Sequence, residues 1–242
     1  MRGHSLKEDL LDLLYPRRCP VCHGIAPRDR RICGECRKKL PVITSARCRK
    51  CGKPVADRQV LCSDCMQVRH LYTQGAGIFR YDDVMRSTVA YFKYKGRQEY
   101  GETLGKLMLE SSRDLLALWK PDALIPVPVH AARLAERGYN QAELLAAPLS
   151  EGSGIPLVRD LLLREERTKA QKKLGAEDRR RNLSGAFRCA RGKAVPGRIL
   201  LIDDIYTTGS TVDACAGTLL KAGALQVFFL TLCIGGENTA EN

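Results

Sequence analysis

Residues 198 to 211, Arg-Ile-Leu-Leu-Ile-Asp-Asp-Ile-Tyr-Thr-Thr-Gly-Ser-Thr, leave the chain few choices of fold. An apolar run of strand length, Ile199 to Ile202, ends in two adjacent carboxylates, Asp203 and Asp204. A loop of hydroxyl residues around one glycine follows, and a helical pattern begins at Val212. Strand, tight loop and helix N-terminus, in that order, is how an open α/β sheet holds a phosphate beyond its strand ends. The backbone amides of Thr207 to Thr211 can point at one phosphate, helped by the hydroxyls of Thr207, Thr208, Ser210 and Thr211. Gly209, lacking a Cβ, lets the backbone approach closely. The carboxylates would repel that phosphate and suit a neutral, hydroxyl-bearing neighbour such as a ribose. The competing explanation is simple helix capping by Ser210 or Thr211, with Asp213 in the first turn. Capping explains one hydroxyl and leaves two acids at the end of an apolar strand unexplained.

The second constraint is cysteine spacing. Eight of the 11 cysteines lie before residue 66, all as Cys-x-x-Cys pairs: Cys19/Cys22, Cys33/Cys36, Cys48/Cys51 and Cys62/Cys65. Ten residues separate the first pair from the second, and ten separate the third from the fourth, so the segment repeats with an offset of 29 residues. Each half holds four cysteines, which predicts two tetrahedral structural zinc sites with sequential pairing, a double zinc ribbon. The middle gap of eleven residues is nearly the same length, so an interleaved or an outer/inner pairing stays open. His23, beside Cys22, reads as an exposed knuckle residue, because four thiolates already fill a site. A redox role fits poorly, since four matched pairs exceed what a dithiol enzyme needs. Residues 1–70 carry 16 basic and 7 acidic residues, formally +9. Two zinc ions with eight thiolates bring −4, leaving about +5. Much of this charge therefore offsets the metal sites. The rest suits a polyanion bound through its phosphates, since aromatics for base stacking are nearly absent.

The chain of 242 residues has a formal net charge of +13. No apolar run is long enough to span a bilayer. Lys7, Glu8, Asp9 and Asp12 interrupt the apolar stretch that a signal peptide would need. A cytoplasmic location is expected, and reduced thiols with it.

The pattern divides the chain into residues 1–70, the ribbon module with a short helix over 5–15, and residues 71–242, an α/β module. The latter predicts a strand over 76–81, a helix capped by Asp82 and stopped at Gly96, and a helix over 100–118. A buried strand running into a loop over 123–129, a helix over 134–149 and a strand over 157–163 follow. Residues 164–198 are polar and basic, with 12 Lys and Arg against 4 Asp and Glu. The strand with the two acids, a helix over 211–222 and a strand over 226–233 complete a parallel sheet. Cys189, Cys215 and Cys233 read as small core residues.

Residues 199–211 resemble the phosphoribosyl-pyrophosphate (PRPP) signature of type I phosphoribosyltransferases: four apolar residues, two acids, three looser positions, then Thr208-Gly-Ser-Thr211. The whole chain resembles the ComF family of bacterial proteins. This rests on the cysteine pairs, the signature, and three further stretches: Phe92-Lys-Tyr-Lys-Gly96; Pro126-Val-Pro128 with Arg137-Gly-Tyr-Asn-Gln141; and Arg167-Thr168, Gln171 and Leu174 with Arg179, Asn182 and Ala186-Phe187. The resemblance implies a type I phosphoribosyltransferase-like parallel sheet with flanking helices and a flexible hood over 164–187, preceded by a double zinc ribbon. It implies that Asp203 and Asp204 act at the ribose of PRPP. Thr207, Thr208, Gly209, Ser210 and Thr211 would hold its 5′-phosphate. Pro128 and Val129, with His130 and Arg133, would form the pyrophosphate loop, and Lys93 and Arg179 would contribute cations. Lys95, Arg137, Gln141 and Gln171 would complete the rim. Mg²⁺ would travel with PRPP. Single-stranded DNA and DNA-uptake helicase or processing proteins are the implied partners, in natural transformation. Whether phosphoribose is transferred to an acceptor is left open, because no acceptor site or general base stands out beyond the position of His130.

Overall fold

The computed structural model describes residues 16–27, 31–165 and 185–235. The helix expected over 5–15 lies outside the described residues. So does most of the 164–187 stretch, including Arg167, Thr168, Gln171, Leu174, Arg179 and Asn182.

In the ribbon segment each half closes on a short helix that begins directly after a cysteine. These are α1, Gly34–Lys39, after Cys33, and α2, Ser63–Gln67, after Cys62. Strand β1 (Gln74–Arg80) follows, then α3 (Asp83–Tyr94) and α4 (Tyr100–Trp119). The Asp82 carboxylate accepts from the Met85 amide at 3.0 Å, the N-cap its position predicts. Next come β2 (Ala123–Pro126), α5 (Ala131–Arg137), α6 (Gln141–Ser153), β3 (Leu162–Arg164) and β4 (Phe187–Cys189). The signature strand β5 (Arg198–Tyr206), α7 (Ser210–Lys221) and β6 (Gln226–Ile234) end the described chain.

Four strands form one parallel sheet in the order β1-β6-β5-β2. The middle strands β5 and β6 are apolar at almost every position, as strands covered on both faces must be. Successive side chains of a strand point to opposite faces. Ile199 and Leu201 therefore enter the core shared with Val212, Cys215 and Leu219 of α7. Leu200 and Ile202 enter the core shared with Phe92, Leu104 and Leu145 of α3, α4 and α6. The duplicated ribbon straddles the sheet in the same way. Cys19, Ile32 and Cys36 of its first half pack into the α3/α4 core, and Ile43, Cys48, Cys51 and Cys62 into the α7 core.

Neither edge of the sheet is bare. The Ile43 amide donates to the Ile78 carbonyl, the Gly75 amide to Lys50 and the Arg80 amide to Pro41, so the ribbon covers β1. The fit is close: Gly52 has φ +78°, and a Cβ there would lie 2.7 Å from both Ala76 Cα and the Gly75 carbonyl. At the far edge, the Leu124 amide donates to Pro156 and the Val158 amide to Leu124. Exposed edges invite pairing with other chains.

Two expectations change. The single helix over 134–149 is two, because Gly138 turns to φ +81° and ends α5, and Asn140 starts α6 by accepting from the Ala142 amide. The strand over 157–163 is one bridge, Leu157 to Leu124, followed by β3, which pairs antiparallel with β4 in a separate two-stranded sheet. The buried strand ends at Pro126, and residues 127–130 form the loop into which it was expected to run. Among the described residues no helix is long and apolar enough to cross a membrane.

Candidate functional site

Two clusters of four cysteines form, Cys19/Cys22/Cys33/Cys36 and Cys48/Cys51/Cys62/Cys65, each with its sulfurs within 4.8 Å of one another. The pairing is sequential, as the repeat favours. Zinc with sulfurs about 2.3 Å away has tetrahedron edges of about 3.8 Å. The Cys22–Cys33 and Cys51–Cys62 sulfur separations are 3.8 and 3.5 Å. The two clusters therefore fit two zinc ribbon sites. In the first, Cys22 is exposed; in the second, Cys48, Cys51 and Cys62 are all buried. His23 is no ligand, but neither is it a free knuckle. Its ring stacks on Tyr91 with centroids 3.6 Å apart, and its Nδ1 lies 3.1 Å from the Tyr100 hydroxyl. It thereby pins the first ribbon to α3 and α4.

The second feature is a cleft of about 270 Å³ at the C-terminal ends of β2 and β5. Strand alternation decides what the twin acids do there. Asp203 continues the face of Leu201, toward α7, and Asp204 continues the face of Ile202, toward α3. Both line the cleft, from different sides. Asp204, 7% exposed, pairs with Lys93 Nζ at 2.6 Å. Asp203 is half-buried and, among the described residues, pairs with no cation; its Oδ1 accepts the Asp204 amide at 2.8 Å. Burial, reinforced by repulsion from Asp204, pushes its pKa up to about 7. A raised folded pKa means that the folded state holds this proton more tightly than the unfolded chain does. Asp203's contribution to stability is therefore whole below its unfolded value near 4 and lost as pH rises through 7. Asp203→Asn should melt above the parent at pH 8, with the gap closing toward pH 5. Melting curves that run parallel from pH 5 to 8.5 would count against a proton shared in this way.

The loop after β5 turns at Gly209, which has φ +80°. A Cβ there would lie 2.6 Å from the Tyr206 hydroxyl and 3.0 Å from His70 Cε1. Gly209 occupies the N-cap of α7, and no side chain caps the helix. The amides of its first turn have no intrahelical partner, and the positive end of the helix dipole stands beside them. Thr207 and Thr211 line the cleft, and the hydroxyls of Thr208 and Ser210 meet at 3.0 Å. The hydroxyls are thus not used for capping.

Opposite, Pro128, Val129, His130 and Arg133 line the wall. The Asn140 amide group donates to the Val127 carbonyl at 3.1 Å and anchors that loop. The Tyr139 hydroxyl donates to the Phe92 carbonyl, next to Lys93, so the Arg137–Gln141 stretch ties the wall to α3. His130 Nδ1 accepts from the Ala132 amide at 3.2 Å. With Nδ1 so engaged, Nε2 is the ring nitrogen left for a ligand in the cleft.

Lys93, Arg137 and Gln141 reach the cleft as the sequence suggests, whereas Lys95 does not line it. Three contributors carried no clear local signal. Arg164 on β3 lines the cleft with its guanidinium 5.4 Å from the Phe187 ring centre. His70 and Asp213, far apart in sequence, meet beneath the signature loop.

The double zinc ribbon domain family matches residues 10–66. Three relatives align with most of the chain. Competence protein F of Haemophilus influenzae is 32% identical over 218 residues, 87% of this chain and 93% of its own. Competence protein ComFC of Bacillus subtilis is 33% identical over 220 residues, 84% of each chain. The DNA utilization protein YhgH of Escherichia coli is 30% identical over 226 residues, 91% of this chain and 98% of its own. Such identity over most of the chain means that this chain belongs to the ComF family.

Proposed function

We propose that the cleft binds PRPP or a closely related phosphosugar together with Mg²⁺, and that the protein handles single-stranded DNA during DNA uptake. One observation carries the first part: an uncapped helix N-terminus and two carboxylates open on the same cleft at the ends of parallel strands. The amides of residues 207–211 are suited to a 5′-phosphate, and Asp203 and Asp204 to the ribose hydroxyls. The donors opposite, His130, Arg133 and Arg164, suit a diphosphate, whose remaining charge Mg²⁺ would neutralise. Arg179, assigned to PRPP by family resemblance, belongs to the same reading, as does the division at residue 70 between ribbon and phosphosugar modules. The DNA role is supported by the names of the relatives, competence proteins and a DNA utilization protein, and by the net charge of +13. A helicase or processing protein of DNA uptake is the partner class, and the cytoplasm the place.

PRPP with Mg²⁺ should raise the melting temperature, and Asp203→Asn with Asp204→Asn should abolish the rise. An equal shift in the double variant would remove the acids from the site. Binding of single-stranded DNA should weaken steeply with salt, as counterion release requires. Binding indifferent to salt, or none at low salt, would end the DNA reading.

The second reading is phosphoribosyl transfer, favoured by the donors on the pyrophosphate side. In that step the bond from the anomeric carbon to pyrophosphate breaks, a bond to a nucleophilic acceptor forms, and the acceptor proton is released. Pyrophosphate release with a panel of acceptors separates enzyme from binder.

A further inference from the structure

His70 stands between the second cysteine cluster and the signature loop. It is 4% exposed. Its Nδ1 lies 2.5 Å from Asp213 Oδ2, in the first turn of α7. The other Asp213 oxygen accepts the Leu71 amide at 2.8 Å, so residues 70 and 71 clamp that turn twice. The second ring nitrogen, Nε2, is buried and makes no hydrogen bond. Besides Asp213, the polar neighbour of the ring is the Cys65 thiol. The ring stacks on Tyr72, centroids 4.9 Å apart, and the Tyr72 hydroxyl meets that of Tyr206 at 2.7 Å. The His70 edge also forms the floor against which Gly209 packs. One imidazole therefore stands beside the metal cluster while it holds the start of α7 and the turn of the loop.

The chemistry of this position is that of an outer partner to a metal site. Four thiolates around one zinc carry surplus negative charge, and a ring N–H aimed at one sulfur offsets it. On its other side the ring is held by the Asp213 carboxylate. Cysteine, histidine and aspartate in line is also the order of a thiol nucleophile. Here, however, Cys65 is gathered with three other sulfurs and does not line the cleft.

We propose that His70 is a positioning residue that couples metal occupancy of the Cys48/Cys51/Cys62/Cys65 cluster to the conformation of residues 207–213, so that metal in the cluster and phosphosugar in the loop favour one another. Without metal, the ring loses the ordered cluster beside it, Asp213 loses one of its two donors and the loop loses its floor. By linkage, a ligand that orders the loop must in turn tighten the metal site. The ligand half of the proposal rests on the PRPP reading; the coupling of cluster to loop does not.

The test uses the full chain, with cobalt(II) in place of zinc and with zinc restored. In the wild-type protein, adding PRPP with Mg²⁺ should shift the thiolate-to-cobalt absorption band. His70→Ala should keep two metal ions per chain by elemental analysis, lose that band shift, and bind PRPP about tenfold more weakly, the lower end of what outer-partner substitutions cost. Hydrogen exchange of the 207–213 amides should be faster in the variant, while residues 199–202 stay protected. His70→Gln, which keeps one donor, should fall between. The proposal is overturned if the wild-type band ignores saturating PRPP, or if the metal-replete variant exchanges its 207–213 amides at the wild-type rate. Should PRPP leave the wild-type melting temperature unmoved, the phosphosugar reading fails, and the exchange comparison alone decides the coupling.

Discussion

Stripping both zinc ions should lower the melting temperature by about 10 °C or more and send the protein into aggregates. In small ribbon-like folds the metal supplies most of the folding free energy, about 10–16 kcal/mol per structural zinc. Here the loss does not stay within the ribbon. Its first half walls one core with Cys19, Ile32 and Cys36, and its second half walls the other with Ile43, Cys48 and Cys51. A ribbon that lets go also uncovers β1, with the amides of Gly75 and Arg80 and the Ile78 carbonyl unpaired. At about 2–4 °C per kcal/mol for a domain of this size, a loss of even 3–5 kcal/mol gives the stated fall. The exposed parallel edge supplies the route to aggregation. The two sites should empty in order, the cluster with exposed Cys22 first. Cys51→Ser should therefore cost more than Cys22→Ser. Differential scanning fluorimetry with light scattering, run alongside elemental analysis of the chelated protein, checks both statements. A metal-free chain melting within two or three degrees of the holoprotein would show that the ribbon is an appendage and not a wall.

Much of this architecture could be read from spacing, and the parts that could not have a common cause. The offset of the cysteine pairs implied sequential closure because each half is chemically complete, and the clusters form that way. Helix α3 was legible at both ends, from Asp82 and Gly96. The break between α5 and α6 was missed although Gly138 and Asn140 are ordinary stop and start residues, because helix-forming residues continue on both sides of them. Strand β4 spans three residues within a basic stretch, and its pairing with β3 has no local signature. In the site itself, the twin acids, the hydroxyl loop and the 127–130 turn are local motifs and were visible. What they touch was not. The partner of Lys93 is Asp204, more than a hundred residues away, and the floor of the loop is His70, from the ribbon side. Such contacts are set by which elements the topology brings to one edge of the sheet. Period-two alternation alone gives adjacent acids different neighbours, but it does not say what those neighbours are.

The Lys93–Asp204 pair leads to the other large effect. Lys93→Met keeps the apolar stem and removes the charge, leaving a carboxylate that is 7% exposed without its cation. Breaking one side of a buried pair costs about 3–5 kcal/mol, because the remaining charge is neither hydrated nor matched. The melting temperature should fall by about 10 °C. Asp204→Asn should cost less, since Lys93 has the longer arm and can carry its ammonium to water. The double variant Lys93→Met with Asp204→Asn should recover most of the loss, giving a clear coupling in a double-mutant cycle. The pair also acts on its neighbour. Lys93 opposes the rise in the Asp203 pKa, so Lys93→Met should push that carboxyl further up and leave it protonated over more of the neutral range. A protonated Asp203 beside an unpaired Asp204 is a poor acceptor for two ribose hydroxyls. PRPP should then stabilise Lys93→Met less at pH 7 than at pH 8.5. Single and double variants whose effects add within about 0.5 kcal/mol would mean that the ion pair does not persist in solution. The two acids would then have to be held apart by the sheet alone.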